Sequence, residues 1–126
     1  MLRVILYSIA LLGAFSSLAL AQETRSMLFG RVLDPQGAAV VGAKVRVRNA
    51  ETGVAMPMTT NDTGYYEANL LMPGGYEVAV EMEGFKRLLR KGVVLPVSSR
   101  IEVNLTLELG GLAETVSVTA DAPLLE

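Results

Sequence analysis

The sequence predicts an all-β protein, a seven-stranded antiparallel sandwich with Greek-key wiring. Apolar and polar residues alternate over most of the chain beyond residue 26, and no stretch shows the spacing of an amphipathic helix. Turn-forming residues divide this alternation into seven short segments over about 85 residues, which is the spacing typical of a sandwich. The whole chain has 126 residues, so we expect one domain with a two-layer core.

Each predicted strand ends at residues that favour turns. Asp34-Pro-Gln-Gly37 closes the first strand, with proline at the second turn position. Pro57 indicates that the third strand lies at a sheet edge, because proline lacks the N–H that an inner strand needs. In chain order, the seven predicted strands are Met27–Leu33, Ala43–Arg48, Val54–Thr60, Tyr65–Leu71, Tyr76–Met82, Lys86–Leu95 and Arg100–Leu109.

Two stripes of opposite charge indicate which strands are neighbours. One face of the second strand carries three basic side chains, Lys44, Arg46 and Arg48. The fifth strand and its end carry three acidic side chains, Glu77, Glu81 and Glu83. The second and fifth strands of a Greek-key sandwich pair in one sheet, so the stripes can face each other, and each cross-strand pair then contributes about 0.2–1 kcal/mol. Two independent solvated faces explain the same pattern.

The N-terminus has the layout of a cleaved signal peptide. Arg3 supplies the positive start, Val4–Leu12 is an uncharged apolar run, and Ala19-Leu20-Ala21 offers the small residues that signal peptidase needs. The alternative is a transmembrane anchor, which needs about 20 predominantly apolar residues, whereas small and polar residues interrupt the run here. We therefore expect residues 1–21 to be removed and residues 22–26 to form a short lead to the sandwich.

Composition excludes several classes of function. The net charge is −2, so neither a nucleic acid nor an anionic membrane surface is expected as a partner. The chain has no cysteine and no histidine, which removes disulfides, thiolate chemistry, and the commonest general base and metal ligand. Asp62-Thr-Gly64 matches the tripeptide of aspartic proteases, but its polar neighbours favour a turn. We expect no catalytic residue, no bound metal and no cofactor.

Five fragments in order resemble the carboxypeptidase regulatory-like domain. They are Gly30–Gly37, Val41–Val47, Thr60–Gly64 with Tyr66, Leu71–Tyr76 and Gly84–Phe85. The resemblance covers residues 27–109 and implies a transthyretin-like sandwich, a fold also called carbohydrate-binding-like, with a glycan as the ligand that this name implies. Alternation buries one of Tyr65 and Tyr66 and exposes the other, so no tyrosine platform for a sugar is expected. Two glycines lie between Pro73 and Tyr76 where the family usually has one, so the turn there is expected to differ.

A second resemblance lies near the C-terminus. A Ton box is the short segment of outer-membrane transporters that the periplasmic protein TonB recruits, and seven residues here resemble one: Glu114, Thr115, Val116, Ser117, Val118, Thr119 and Ala120. Their alternating side chains suit strand addition, in which backbone hydrogen bonds supply affinity. Gly110-Gly111 would then be a flexible hinge. By alternation alone, an ordinary eighth strand is the favoured explanation of the peptide, and it is the order of the parts along the chain that favours the Ton box.

The order of these parts resembles the start of Oar-like TonB-dependent receptors: a signal peptide, a regulatory-like domain at 27–109, then a Gly-Gly and Ton-box-like segment at 110–126. This order implies export to the periplasm and outer membrane of a Gram-negative bacterium, with TonB as the partner. Membrane association is expected only through a barrel further downstream, since a barrel needs at least about eight strands of 9–11 residues. The hypotheses are a fragment of such a receptor with a non-enzymatic role, or a free-standing secreted carbohydrate-binding-like module.

Overall fold

The structure is a computed structural model and describes residues 24–119, so the predicted signal peptide, Ala120 and residues 121–126 lie outside the described residues. The described part contains nine strands and no helix. The strands are β1 (Ser26–Leu33), β2 (Lys44–Asn49), β3 (Ala55–Thr59), β4 (Tyr65–Leu71), β5 (Gly74–Glu81), β6 (Arg87–Leu95), β7 (Arg100–Glu102), β8 (Leu105–Thr106) and β9 (Thr115–Thr119).

Two sheets enclose one hydrophobic core, so the predicted all-β sandwich is confirmed. One sheet has the order β4-β1-β7, with β8 also pairing with β1, and the other has the order β3-β2-β5-β6-β9. Side chains at alternate strand positions fill the space between the sheets, because successive residues of a strand point to opposite faces. Five of the residues with an exposure of 2% or less are Leu28, Val45, Tyr66, Val78 and Leu107.

Two features of the predicted sandwich were wrong, namely seven strands and purely antiparallel pairing. β7 and β8 run parallel to β1, and β9 runs parallel to β6. The direction of β7 follows from where the chain crosses between the sheets. The Met27 N–H donates to the Ser99 carbonyl at 2.9 Å, so β7 begins beside the beginning of β1 and must run the same way. The Greek-key wiring stays a prediction.

The predicted strand Arg100–Leu109 is divided into β7 and β8 at Val103 and Asn104. The Asn104 side-chain oxygen accepts a hydrogen bond from the Arg31 N–H at 3.0 Å, so a side chain replaces the backbone carbonyl that a regular ladder would supply. The inward-facing side chains of this segment were predicted correctly apart from Leu109, which is 65% exposed.

The charged stripes of β2 and β5 face each other, which confirms that interpretation. Lys44 lies opposite Glu81 and Arg48 lies opposite Glu77 in the antiparallel register. The Arg48 guanidinium is 3.3 Å from the Glu77 carboxylate. Both groups are partly exposed to water, so this ion pair contributes about 0.2–1 kcal/mol and helps to select the register rather than to stabilise the fold.

The β4–β5 connection is tighter than the predicted Pro-Gly-Gly turn. β5 begins at Gly74, which pairs with Leu95, instead of at Tyr76. Gly74 and Gly75 both pair regularly with β6, and the register shifts only beyond Tyr76, where β6 has one residue more than β5. Leu70, near the end of β4, has a φ of 57° and a side chain that is exposed to water.

Candidate partner-binding strand

The residues that resemble a Ton box lie at an edge of the five-stranded sheet. Thr115–Thr119 form β9, Glu114 precedes it, and Ala120 lies outside the described residues. β9 pairs with β6 in parallel register, from Thr115 opposite Arg87 to Thr119 opposite Lys91. The structure thus places this segment as a further strand of the sandwich, which was one of the two interpretations of the sequence.

The side chains of β9 divide into an inner and an outer set. Val116 packs against the hydrophobic core. Val118 points to the same side by alternation but is 37% exposed. Thr115, Ser117 and Thr119 are exposed on the outer face. Within the described part of this segment, Val116 is therefore the principal apolar anchor.

The backbone of β9 leaves one edge open. The Arg87 N–H donates to the Glu114 carbonyl at 2.9 Å. In a parallel ladder, alternate residues of a strand bond to the same neighbour, so the N–H and C=O groups of Val116 and Val118 point to β6. The groups of the other three residues, Thr115, Ser117 and Thr119, point away from the sheet. Those six backbone groups are free to pair with another strand.

Nothing in the sequence of β9 protects this open edge. Thr115–Thr119 contain no charge, no proline and no glycine. Natural sheet edges are usually blocked by such residues, because an unblocked edge pairs with other chains. The opposite edge of the same sheet, β3, contains Pro57. β9 is therefore the edge of this sheet that is best suited to strand addition.

The Gly110–Gly111 pair, predicted as a flexible hinge, is hydrogen-bonded in the structure. The Gly110 N–H donates to the Gly84 carbonyl at 3.2 Å, and the Glu114 N–H donates to the Gly111 carbonyl at 3.0 Å. A Cβ atom at Gly110 would lie 2.6 Å from Cγ of Lys86, so the absence of a side chain lets the Lys86 stem pass close to the chain. The segment before β9 is therefore a hydrogen-bonded turn whose contact with the Lys86 stem is made at Gly110.

Lys86 joins this turn to the end of the sandwich. Its Nζ lies 3.6 Å from the Glu108 carboxylate and 3.4 Å from the Glu114 carboxylate. Its backbone N–H also donates to the Glu108 carbonyl at 2.8 Å. The ion pairs are partly exposed, and each contributes about 0.2–1 kcal/mol. Together these contacts fix the point at which β9 begins.

A second surface of functional interest lies on the outer face of the β4-β1-β7 sheet. The ring centroids of Phe29 and Tyr65 are 6.3 Å apart, and the Arg100 guanidinium lies 5.7 Å from the centroid of Phe29. A shallow hollow of about 430 Å³ adjoins the two rings, with Glu102 and Asn104 at its border. This aromatic pair was not predicted from the sequence, because it depends on the pairing of β1 with β4. The only local signal was that both rings occupy outward-facing strand positions.

Hydrogen bonds orient the polar groups beside these rings. The Tyr65 hydroxyl and the Asn69 amide each donate to the Glu67 carboxylate at 2.9 Å. The bond from Asn69 and then the bond from Tyr65 lower the pKa of Glu67. Desolvation and then the bond to Glu67 raise the pKa of Tyr65. This face therefore presents a pre-oriented carboxylate and phenol to solvent at neutral pH.

The predicted division of the two adjacent tyrosines is confirmed. Tyr66 is 2% exposed, and its hydroxyl donates to the Val103 carbonyl at 2.5 Å. Burial raises the pKa of this phenol well above its usual value, so it stays protonated and remains a donor. Tyr66 therefore joins β4 to the break between β7 and β8, and it takes no part in a surface site.

The Asp62-Thr-Gly64 tripeptide is a turn, as its neighbours predicted. The side-chain oxygen of Asn61 accepts from the N–H groups of Thr63 and Tyr65, each at 3.0 Å. Gly64 has a φ of 74°. Across residues 24–119, no group of three or more acidic, cysteine or histidine side chains is placed to hold a metal ion. The same residues include no helix of the length and apolarity needed to cross a membrane.

Comparison with known proteins identifies a family and a fold. The family described as carboxypeptidase regulatory-like domain matches residues 27–108. No curated protein matches the sequence.

Three solved structures illustrate the fold. A hydroxyquinol 1,2-dioxygenase from Pseudomonas putida is 13% identical with a TM-score of 0.58, and the match covers 73% of this chain and 59% of that one. The Bacillus anthracis TIE protein is 22% identical with a TM-score of 0.59, and the match covers 68% of this chain and 17% of that one. A Bacteroides uniformis protein whose name refers to carbohydrate binding is 22% identical with a TM-score of 0.55, and the match covers 67% of this chain and 41% of that one. The chain thus spans less than two thirds of each, and at these identities the likeness concerns the fold alone.

Proposed function

Because the chain belongs to the carboxypeptidase regulatory-like domain family, we propose that it is a non-enzymatic module at the N-terminus of a TonB-dependent outer-membrane receptor. In this proposal, residues 1–21 direct export, the sandwich is an accessory domain in the periplasm of a Gram-negative bacterium, and Glu114–Ala120 contact TonB. The observation that carries the proposal is the open, unprotected edge of β9. A transport function would belong to the receptor as a whole.

Strand addition explains how so short a segment can bind a protein. The open edge of β9 offers the N–H and C=O groups of Thr115, Ser117 and Thr119 to an extended partner segment. Backbone pairing supplies affinity, and the side chains on the two faces of the strand supply specificity. β9 offers polar hydroxyls on its outer face and Val118 on its inner face.

Replacing Ser117 by proline tests the proposed contact. Proline removes a backbone donor from the open edge, and a lost hydrogen bond of about 1.4 kcal/mol corresponds to a tenfold change in affinity. We expect Ser117→Pro to bind the purified C-terminal domain of TonB at least about tenfold more weakly than the unmodified protein. Isothermal titration or a pull-down assay measures this difference.

Ser117→Ala is the matched control, because it removes an exposed hydroxyl and keeps the backbone donor. We expect it to weaken binding by much less than Ser117→Pro does, because only a side-chain contact is lost. Equal affinities of the proline and alanine variants would contradict strand addition at this edge. Absence of TonB binding by the unmodified protein would contradict the proposed function.

The second candidate function is glycan binding by a free-standing secreted module. The Phe29–Tyr65 pair with its pre-oriented Glu67 supports it, because sugars stack on aromatic rings and bind carboxylates through their hydroxyl groups. The Bacteroides uniformis neighbour gives further support through its name.

A glycan array followed by titration tests this second candidate. We expect Tyr65→Ala to weaken binding of any glycan found by about tenfold or more, since one aromatic contact and one hydrogen-bonding group are lost. Arg46→Ala, on the outer face of the other sheet, is the control and should leave binding unchanged. A negative array with the unmodified protein, or equal loss in both variants, counts against this function.

A further inference from the structure

We infer that β9 binds its partner while it remains docked on β6, so that the partner strand extends the five-stranded sheet to six strands. This inference rests on the proposed function and specifies its mode of binding. The alternative mode is release of the peptide, followed by its capture as a free segment. Release requires β9 to leave β6, whereas docked addition uses only the outer edge of β9 and leaves its pairing with β6 intact.

The contacts at the start of β9 favour the docked mode. Lys86 holds both Glu108 and Glu114, and the turn through Gly110 is packed against the Lys86 stem. The Arg87 N–H donates to the Glu114 carbonyl. A freely presented peptide would require these contacts to break first. Addition at the outer edge requires none of them to change.

The inner side of β9 also favours the docked mode. Val116 packs against the core, and release would expose it together with the edge of β6. The amides of Leu89 and Lys91, which the parallel ladder directs at the carbonyls of Val116 and Val118, would lose their partners. Buried or shielded backbone groups that lose a partner are costly. A partner that adds to the outer edge gains its hydrogen bonds without this loss.

The docked geometry also defines the kind of partner. It must offer an extended segment with an unpaired edge of its own, as in strand addition generally. On the inner side, the partner strand would lie beside the exposed part of Val118, so an apolar side chain fits there. On the outer side, it would lie beside Thr115, Ser117 and Thr119, so polar side chains fit there.

Hydrogen exchange at single amides distinguishes the two modes. In the free protein, we expect the amides of Val116 and Leu89 to be protected and those of Ser117 and Thr119 to exchange rapidly. With the purified TonB C-terminal domain bound, Ser117 and Thr119 should become protected while Leu89 stays protected. Loss of protection at Leu89 on binding would show that β9 leaves β6 and would overturn the inference.

A disulfide lock provides a second test. Leu89 and Ser117 lie opposite each other in the register, and neighbouring strands are about 4.8 Å apart, within the range of about 4.4–6.8 Å that a disulfide spans. The chain has no cysteine, so Leu89→Cys with Ser117→Cys forms a single defined bridge. The reduced form of the same variant is the matched control.

We expect the oxidised and reduced forms to bind TonB with affinities within about twofold of each other. The disulfide fixes β9 to β6, where it already lies, and leaves the outer edge of β9 available to the partner. Binding by the reduced form and none by the oxidised form would overturn docked addition while leaving the proposed function in place. No binding by the unmodified protein would reject both. The exchange pattern of the free protein still reports whether β9 is docked.

Discussion

The Gly30→Ala variant is expected to lose about 3 kcal/mol of its free energy of unfolding, because overpacking against rigid backbone is among the costlier core changes. A Cβ atom at Gly30 would lie 1.9 Å from the carbonyl oxygen of Val103 and 2.6 Å from its carbonyl carbon. Val103 cannot move freely, because its carbonyl accepts the Tyr66 hydroxyl and its N–H donates to Phe29. Urea denaturation followed by circular dichroism measures the change.

Gly75→Ala is the matched control for Gly30→Ala. Gly75 also lies in a strand, its φ is not positive, and a Cβ there would meet Ala50 at an ordinary 3.9 Å. We expect it to be neutral or to stabilise the protein by about 0.4–1 kcal/mol, because alanine restricts the unfolded chain. Equal denaturation midpoints for the two variants would show that the close approach of the Val103 carbonyl to Gly30 does not exclude a side chain at that position.

The Thr60→Val variant is expected to cost about 2–4 kcal/mol of unfolding free energy, since a buried group left without its hydrogen bond costs about 1–3 kcal/mol. Thr60 is 4% exposed. Its hydroxyl donates to the Val40 carbonyl at 2.7 Å and accepts from the Ala43 N–H at 2.9 Å. Valine has nearly the same shape but leaves both backbone groups without these bonds. Thermal or urea unfolding measures the cost.

Thr60→Ser separates the hydrogen bonds from the packing. Serine keeps the hydroxyl and loses one methyl group, so we expect a cost of about 1 kcal/mol. If the valine variant were as stable as the serine variant, the two hydrogen bonds would contribute little and the methyl group would account for the role of Thr60.

Local sequence determined the strands and turns that depend on short-range physics. Val45 and Val78 are buried where alternation placed them, because the two faces of a strand have different surroundings at a period of two residues. Asp34 closes its turn by accepting from the N–H groups of Gln36 and Ala38, each at 2.9 Å. Gly37 has the positive φ of 84° that this turn needs.

The sequence could not predict pairings that depend on chain crossings. The alternation of Arg100–Leu109 predicts one continuous strand, because a local pattern does not indicate the contact between the Asn104 side chain and β1. Leu109 appeared to belong to the core and is exposed, because the chain has by then reached the end of the sandwich. Alternation specifies which face is buried, but neither the neighbour nor the direction of a strand.

The candidate site also combines features that the local sequence predicts with features that depend on contacts between distant segments. The composition of Thr115–Thr119 was sufficient to predict an extended segment with an apolar and a polar face, and the structure has a strand there. Its parallel docking on β6 was decided by the turn that Lys86 and Gly110 hold, whose contacts join residues more than twenty positions apart. The Phe29–Tyr65 face likewise required the pairing of β1 with β4.

The sequence by itself therefore determined the class of fold, the family and the segment that offers a strand. These properties depend on alternation, turn chemistry and fragment order, which act over a few residues at a time. Only the tertiary structure decided that Glu114–Thr119 are docked and which edge of β9 is open. The physical reason is that hydrogen-bonding direction and sheet order arise from contacts between distant segments, and a period of two residues contains no information about them.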